Sequence, residues 1–96
     1  MKSIQVIVRL KTTPEQLDDA KKLLISLIKP IHDNPNNLEF RVMQDTNNLT
    51  QFTLIESWSS FEAIKEHSKR DFMIQFDKVK ATIFESSSAE IVNEFE

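Results

Sequence analysis

Residues 38–58 read LEFRVMQDTNNLTQFTLIESW, and their pattern is the strongest indication of the fold. In both halves of this stretch apolar and polar residues alternate, and a period of two indicates a β-strand. Asn47 and Asn48 lie between the halves and are typical turn residues. Because a parallel return needs a crossover of about a dozen residues or more, the short connection favours an antiparallel hairpin.

Upstream of the hairpin, the sequence predicts a strand and a long helix. Residues 4–10 alternate with the same period of two. Thr13 and Gln16, with Pro14 between them, have the spacing of a capping box that begins a helix. The helix is predicted to end before Pro35, because helical geometry is disfavoured for a residue that precedes a proline. Its apolar stripe consists of Leu17, Ala20, Leu24, Leu27, Ile28 and Ile31.

Downstream of the hairpin, the sequence predicts two helices and a last strand. Ser59 and Glu62 form a second capping box, which begins a short helix that runs through about His67. Residues 68–71 can cap a further helix, and the serine run that follows it, at 86–88, is interpreted as a loop. Alternation over residues 89–95 predicts the final strand. The apolar stripe of the last helix consists of Phe72, Phe76, Val79 and Ile83.

The order β-α-β-β-α-α-β is typical of an α+β, ferredoxin-like fold, in which helices cover one face of a four-stranded antiparallel sheet. We therefore predict a single domain over residues 1–96. Ile7, Ile55 and Phe95 indicate that the other sheet face is not wholly polar, and an exposed apolar face favours a partner. A chain of this length buries only roughly 60–65% of its unfolded surface, so oligomerisation is expected.

Composition narrows the class of protein. The 12 basic residues are scattered, and with 15 acidic residues they give a net charge of −3, which argues against a nucleic-acid partner. The absence of cysteine excludes disulfides, thiolate metal sites and a cysteine nucleophile, and suits a reducing cytosol. The start of the chain lacks the apolar run of a signal peptide, and no segment approaches the ~20 apolar residues of a membrane span. We predict a soluble, cytoplasmic protein without a membrane partner.

Glycine is also absent. Positive φ angles are therefore expected at asparagine, for example in the cluster at 34–37. Without glycine there is no Gly-rich phosphate loop, which argues against Rossmann or P-loop nucleotide binding. The sequence has no HExxH or other compact histidine and carboxylate spacing, so no metal site is predicted.

Two histidines and one carboxyl group are the candidates for chemistry. His67 shares the inner face of its short helix with Ala63 and Ile64, from which it is separated by four and three residues. It is either a core histidine bonded to a backbone carbonyl or a pocket residue that binds or protonates a substrate oxygen. His32, near the end of the first helix, is interpreted as a residue that offsets the helix dipole.

Glu56 shares a strand face with Leu54 and Trp58, where burial without a partner is costly. It either pairs with Arg9, Arg41 or a backbone donor, or it is a carboxylate with a raised pKa that serves as a base. Trp58, at the strand end, either fills the core or keeps its N–H free to donate. The aromatic residues Phe40, Phe72 and Phe76 either fill the core or line a flat slot for an aromatic or quinone-like ligand.

Four segments together resemble the antibiotic biosynthesis monooxygenase (ABM) family. They are Leu38 to Asp45, Phe52 to Trp58, Phe61 to His67, and Phe72 to Phe76. The most specific feature is the sequence E-x-W at Glu56 to Trp58, followed by His67. The resemblance implies a homodimer in which two sheets pack face to face as an α/β barrel. It also implies a pocket in each subunit, between sheet and helices, lined in part by His67, Trp58, Phe72 and Phe76.

Members of this family that act on polyphenols or quinols use neither metal nor flavin, since the substrate carbanion activates oxygen. Members that degrade haem place an iron-ligating histidine at the position that matches Phe76, so no haem or other cofactor is expected. In the loop before the second strand, Asn36 replaces the usual glycine. The resemblance implies a cofactor-independent monooxygenase acting on an aromatic or quinol-like small molecule.

The expected site residues have two roles. His67 and Trp58 are the predicted catalytic residues, and the predicted substrate-binding residues are Phe72, Phe76, Phe40 and Glu56. Two alternatives to the monooxygenase stay open at this point. One is a small-molecule-binding or stress-associated dimer without catalysis, and the other is an isomerase of a small phosphorylated signalling sugar.

Overall fold

The computed structural model describes residues 3–95. Its elements follow the predicted order, with one additional 3-10 turn at Pro14–Gln16. The strands are β1 (Ile4–Thr12), β2 (Asn37–Gln44), β3 (Gln51–Trp58) and β4 (Phe84–Val92), and the helices are α1 (Leu17–His32), α2 (Phe61–Ser68) and α3 (Asp71–Ile83). The predicted α+β, ferredoxin-like fold is confirmed.

The four strands form one antiparallel sheet in the order β2-β3-β1-β4. Phe40 on β2 and Val6 on β1 both lie opposite Glu56 on β3. Because side chains alternate between the two faces of a strand, these three residues share one face. This face packs against the helices, whose buried residues include Ala20 and Leu24 of α1. The Glu56 carboxyl group is thus directed toward the apolar core.

The start of α1 shows half of the predicted capping box. The Thr13 hydroxyl accepts a hydrogen bond from the Gln16 backbone N–H at 3.2 Å. The Gln16 side chain does not return to Thr13, because its amide donates to the Thr82 carbonyl at 3.0 Å. The helix continues through Pro30 and ends at His32, before Pro35 as predicted.

The caps of α2 and α3 differ from the prediction. Ser60, not Ser59, caps α2, since its hydroxyl accepts from the Ala63 N–H at 3.1 Å. No side chain caps α3, because the Ser68 hydroxyl instead donates to the Lys65 carbonyl at 2.7 Å. Within residues 3–95 no helix is both long enough and apolar enough to cross a membrane.

The serine run at 86–88 is part of β4, so its interpretation as a loop was wrong. Ser86 pairs with Lys11 and Ser87 with Leu10 in the backbone ladder with β1. Since β4 is an edge strand with exposed side chains, serine hydroxyls reach water there and the backbone alone makes the pairing. Phe95 lies beyond the strand and is 98% exposed, so it does not contribute to a sheet face.

The turns close without any left-handed residue. Within residues 3–95 no residue has a positive φ angle, so the prediction of positive φ at asparagine, Asn36 included, was wrong. The Asn34 side-chain oxygen accepts from the Asn36 N–H at 2.9 Å, and that of Asp45 accepts from the N–H groups of Asn47 and Asn48 at 2.7 and 3.0 Å. A side-chain oxygen that takes the place of a backbone acceptor closes a turn at negative φ.

The sheet face that the helices leave uncovered is mixed in polarity, as predicted. Ile7 and Ile55 lie opposite each other at its centre, and both are half-buried. An exposed ion pair between Arg9 and Glu90, at 2.7 Å, lies on the same face. This arrangement, an apolar centre with charged surroundings, resembles a contact surface.

Candidate active site

A pocket of about 380 Å³ lies between the helix-covered face of the sheet and helices α1, α2 and α3. Most of its wall is apolar, with contributions from Val8, Leu27 and Phe76. Asp77 and Ala89, which are exposed, also line it, so the pocket reaches the surface between α3 and β4. Its volume falls in the range of roughly 300–1,000 Å³ that is typical of small-molecule sites.

Glu56 lines this pocket, and its carboxyl group has one hydrogen-bond partner among residues 3–95. Its Oε1 accepts a hydrogen bond from Trp58 Nε1 at 2.9 Å. Burial raises the pKa of Glu56, and the hydrogen bond from Trp58 acts in the opposite direction. The predicted pairing with arginine was wrong, because Arg9 binds Glu90 and Arg41 lies 3.6 Å from Glu39. The hypothesis of a carboxyl group with a raised pKa agrees with the structure.

Trp58 is fully buried at the end of β3. Its ring centroid lies 4.5 Å from that of His67, with 41° between the ring planes. The residues that line the pocket do not include Trp58, which packs behind Glu56 and His67 instead. The resemblance implied that Trp58 lies on the pocket wall, and this is corrected. Strand β3 ends beneath α2, and the indole is enclosed there. Its role as a site residue stays a prediction.

His67 lies on the inner face of α2 and lines the pocket. Its ring packs against Trp58 and, at 5.6 Å between centroids, against Phe72. The Nδ1 atom is buried and has no hydrogen-bond partner among residues 3–95. Burial, and then the positive charge of Arg70, lower the pKa of His67 to about 4. The ring is therefore neutral near pH 7, and it holds an unused hydrogen-bonding atom.

The other candidate residues fall into three places. Phe40 and Phe76 line the pocket, and their role in binding a substrate stays a prediction. The implied position of Phe72 on the pocket wall is corrected, because Phe72 lines a separate groove between α1 and α3, although its ring contacts His67. His32 lies outside the pocket, where its Nε2 is 3.0 Å from the Phe40 carbonyl oxygen and links the end of α1 to β2.

The structure adds pocket residues that the sequence reading missed. Asp77 and Lys80 of α3 line the pocket together with Ser87 and Ser88 of β4. The sequence could have identified Lys80 as a pocket residue, because it follows Phe76 by four residues. This spacing places both residues on one helix face. The serines gave no such signal, because the run was interpreted as a loop. Within residues 3–95 no three His, Asp or Glu side chains are placed to hold a metal ion.

The sequence model of the family described as antibiotic biosynthesis monooxygenase matches residues 3–79. The chain belongs to this family. The match includes β1, the β2–β3 hairpin with Glu56 and Trp58, the α2 helix with His67, and most of α3. The resemblance in the sequence is thus confirmed. No functionally curated protein matches the sequence.

Solved structures share the fold of this family member. PA3566 from Pseudomonas aeruginosa superposes with a TM-score of 0.94 at 16% identity, and the match covers 100% of this chain and 97% of the other. Rv0793 from Mycobacterium tuberculosis gives 0.92 at 14% identity, covering 99% and 97%. A structure described as antibiotic biosynthesis monooxygenase gives 0.90 at 17% identity, covering 97% and 99%. Identities this low support the fold and leave the substrate undetermined.

The lowered pKa of His67 predicts a specific loss of stability in acid. Between pH 6.5 and pH 4 the unfolded chain binds a proton at this histidine while the folded chain does not. Acidification across this window should lower the free energy of unfolding by about 3 kcal/mol through His67 alone. Urea denaturation at a series of pH values measures this effect.

The control for this experiment is His67→Gln, which has no titrating ring. The wild type should lose more stability than the variant as the pH falls from 6.5 to 4. Glu56 acts in the opposite direction, because a raised pKa lets the folded state keep its proton to higher pH and lowers stability as pH rises. Its effect is present in both proteins and largely cancels in the difference. Equal pH slopes for the two proteins would show that His67 is not desolvated.

Proposed function

We propose that this chain is a cofactor-independent monooxygenase that acts on an aromatic or quinol-like small molecule. The observation that carries the proposal is the neutral, pocket-lining His67 with an unpartnered Nδ1, beside the half-buried carboxyl group of Glu56. A buried polar atom without a partner costs free energy, which a substrate oxygen bound to the ring would recover. The mainly apolar wall supports a ring-shaped substrate.

The two titratable groups suit different tasks. Moving a phenolic proton, with a pKa of about 10, onto a histidine with a pKa of about 4 would cost about 8 kcal/mol. His67 is therefore better suited to hold the substrate oxygen by a hydrogen bond than to remove its proton. Glu56 is the better base of the two, because its pKa is raised by burial whereas that of His67 is lowered to about 4.

The proposed reaction balances without a cofactor. Glu56 accepts a proton from the substrate, and the resulting carbanion transfers electrons to molecular oxygen. One oxygen atom is added to a ring carbon of the quinol, which ends as a hydroxyquinone, and the other leaves as water with the two hydrogens that the quinol loses. The electrons come from the substrate, so no external reductant is consumed. Trp58 holds the Glu56 carboxyl group in place through its N–H.

The direct test is oxygen uptake with a panel of quinols. We expect uptake above background for the native chain and about 100-fold less for His67→Ala, which is the size of effect seen when one positioned hydrogen-bond donor is removed. His32→Ala is the matched control, since His32 lies outside the pocket and should retain activity. If the native chain binds quinols without consuming oxygen, the non-catalytic binding alternative is correct instead.

The isomerase alternative receives less support from the pocket. A phosphorylated sugar needs several cations or backbone donors around its phosphate group. Lys80 is the single lysine or arginine that lines the pocket within residues 3–95. Asp77, Ser87 and Ser88 lie beside Lys80, but most of the remaining wall is apolar and does not satisfy the hydroxyl groups of a sugar.

Proteins of this family are commonly dimeric, and we propose that this chain dimerises through the sheet face that holds Ile7 and Ile55. The contact would cover both residues and would complete the barrel of two sheets. Sedimentation of the wild type at micromolar concentration should give about twice the chain mass of 11.2 kDa. Ile55→Glu places a charge at the centre of the contact and should give a monomer.

A matched control for dimerisation is Ile25→Glu. Ile25 is 65% exposed on α1, on the opposite side of the sheet from Ile55, so this variant should remain dimeric. A wild-type mass near 11 kDa would contradict the proposed dimer.

A further inference from the structure

The pocket has a polar group at each end, and the strand register measures the distance between them. Glu56 lies opposite Val6 of β1, and Ser87 lies opposite Leu10 of the same strand. Val6 and Leu10 are four residues apart, which corresponds to about 13 Å along a strand. Both Glu56 and Ser87 line the pocket. The pocket is therefore elongated in the direction of β1.

Helix α3 provides a second, independent measure. Phe72 contacts the His67 ring near the start of the helix, and Lys80 lies eight residues further on. Eight residues of α-helix rise about 12 Å. The Thr12 hydroxyl donates to the Ile83 carbonyl, so the end of α3 meets the end of β1. Lys80 is thus at the Ser87 end of the pocket, and His67 and Glu56 are at the other end.

Lys80 is a cation held at this far end. Its side chain is about one-third exposed, and its Nζ lies 6.0 Å from the centre of the Phe76 ring. Its ion-pair partner is Asp77, at 3.8 Å, which is a long contact between two partly solvated groups. No other lysine or arginine lines the pocket in the part of the chain that the structure describes. The ammonium group is therefore available for an anionic group of a bound molecule.

We propose that Lys80 is a specificity-determining residue that binds the carboxylate of an elongated aromatic substrate whose reacting end meets His67 and Glu56. The apolar middle of the pocket, with Leu27 and Phe76, would contact the rings. Asp77 is the opposing charge at this end, so it weakens the attraction that Lys80 supplies. This proposal rests on the proposed function in one respect, which is that the substrate reacts at the end that meets His67 and Glu56.

The test compares two oxidised, unreactive ligands of similar size: anthraquinone-2-carboxylate and the neutral 2-(hydroxymethyl)anthraquinone. Binding is measured by quenching of the fluorescence of Trp58, the single tryptophan, whose ring contacts His67. We expect the native chain to bind the carboxylate about fivefold more tightly than the neutral ligand at low salt. The preference should decline as salt is added, because the pair is partly solvated.

Four variants test which residue causes the preference for the carboxylate ligand over the neutral one. Lys80→Met should remove it while leaving the affinity for the neutral ligand unchanged, and Lys80→Arg should keep it. Asp77→Asn should increase the preference, because the opposing charge is gone. Lys78→Met is the matched control, since Lys78 is exposed on the same helix and does not line the pocket.

The outcomes separate this proposal from the proposed function. Equal affinity of the native chain for the two ligands, or a preference that survives in Lys80→Met, would overturn the role of Lys80 and leave the oxygen-uptake test unaffected. A carboxylate preference that depends on Lys80, in a chain that consumes no oxygen, would support Lys80 and contradict the monooxygenase. Failure of both ligands to bind would overturn the role of Lys80, and the oxygen-uptake test would still decide the proposed function.

Discussion

Glu56→Gln is expected to lower kcat for oxygen uptake by roughly 10²–10⁴-fold, which is the usual contribution of a positioned general base. The amide cannot accept a proton from the substrate. It can still accept the Trp58 N–H through its carbonyl oxygen, so the geometry around Trp58 and His67 should be kept. The measurement is the rate of oxygen consumption at saturating quinol, with binding of an oxidised ligand as a check on the pocket.

The control for this substitution is Glu62→Gln. Glu62 lies in the first turn of α2 and is exposed, so its loss should change kcat by less than about twofold. Glu56→Gln should also be at least as stable as the wild type near pH 8, because a neutral amide avoids the cost of ionising a half-buried carboxyl group. A kcat within threefold of the wild type would rule out Glu56 as the base.

Trp58→Ala is expected to lower the free energy of unfolding by about 3–5 kcal/mol. The indole is fully buried and contacts His67, so its removal leaves a cavity in the core and an unpartnered Glu56 carboxyl group. Folded proteins of this kind are stable by only about 5–15 kcal/mol, so the loss is a large share of the total. Urea denaturation followed by circular dichroism measures it, since the variant has no tryptophan.

Trp58→Phe separates the contribution of the buried aromatic ring from that of the N–H hydrogen bond to Glu56. It keeps an aromatic ring against His67 and removes the N–H, so the loss should be smaller than for alanine. The pKa of Glu56 should rise further in this variant, because the hydrogen bond that lowers it is gone. A pKa for Glu56 that is unchanged in Trp58→Phe would show that the hydrogen bond does not stabilise the carboxylate.

The order of the elements follows from local patterns in the amino-acid sequence. The alternation at 4–10, 38–44 and 52–58 is a local property, because a strand with one buried face must place apolar residues at every second position. The cap at Thr13 and the end of α1 before Pro35 follow from equally local rules. The sequence also predicted the unusual position of Glu56, a carboxyl group on the core face of its strand, because the period of two places it there. The single domain over 1–96 and the cytoplasmic location stay predictions.

The contacts of the site residues depend instead on how the helices pack on the sheet. The hydrogen bond of Glu56 with Trp58 and the unpartnered Nδ1 of His67 depend on how α2 packs on the sheet, and no spacing rule specifies this. The serine run was misread because an edge strand is held by backbone pairing and needs no apolar pattern.

The far end of the pocket also depends on the packing of segments that are distant in the chain. Lys80 and Ser87 come together only because α3 and β4 both pack along β1. Residues 38–58 therefore determine the β2–β3 hairpin and the position of Glu56 on its core face. The partners of that carboxyl group, and the residues that face it across the pocket, come from segments distant in the chain, and only their packing brings them together.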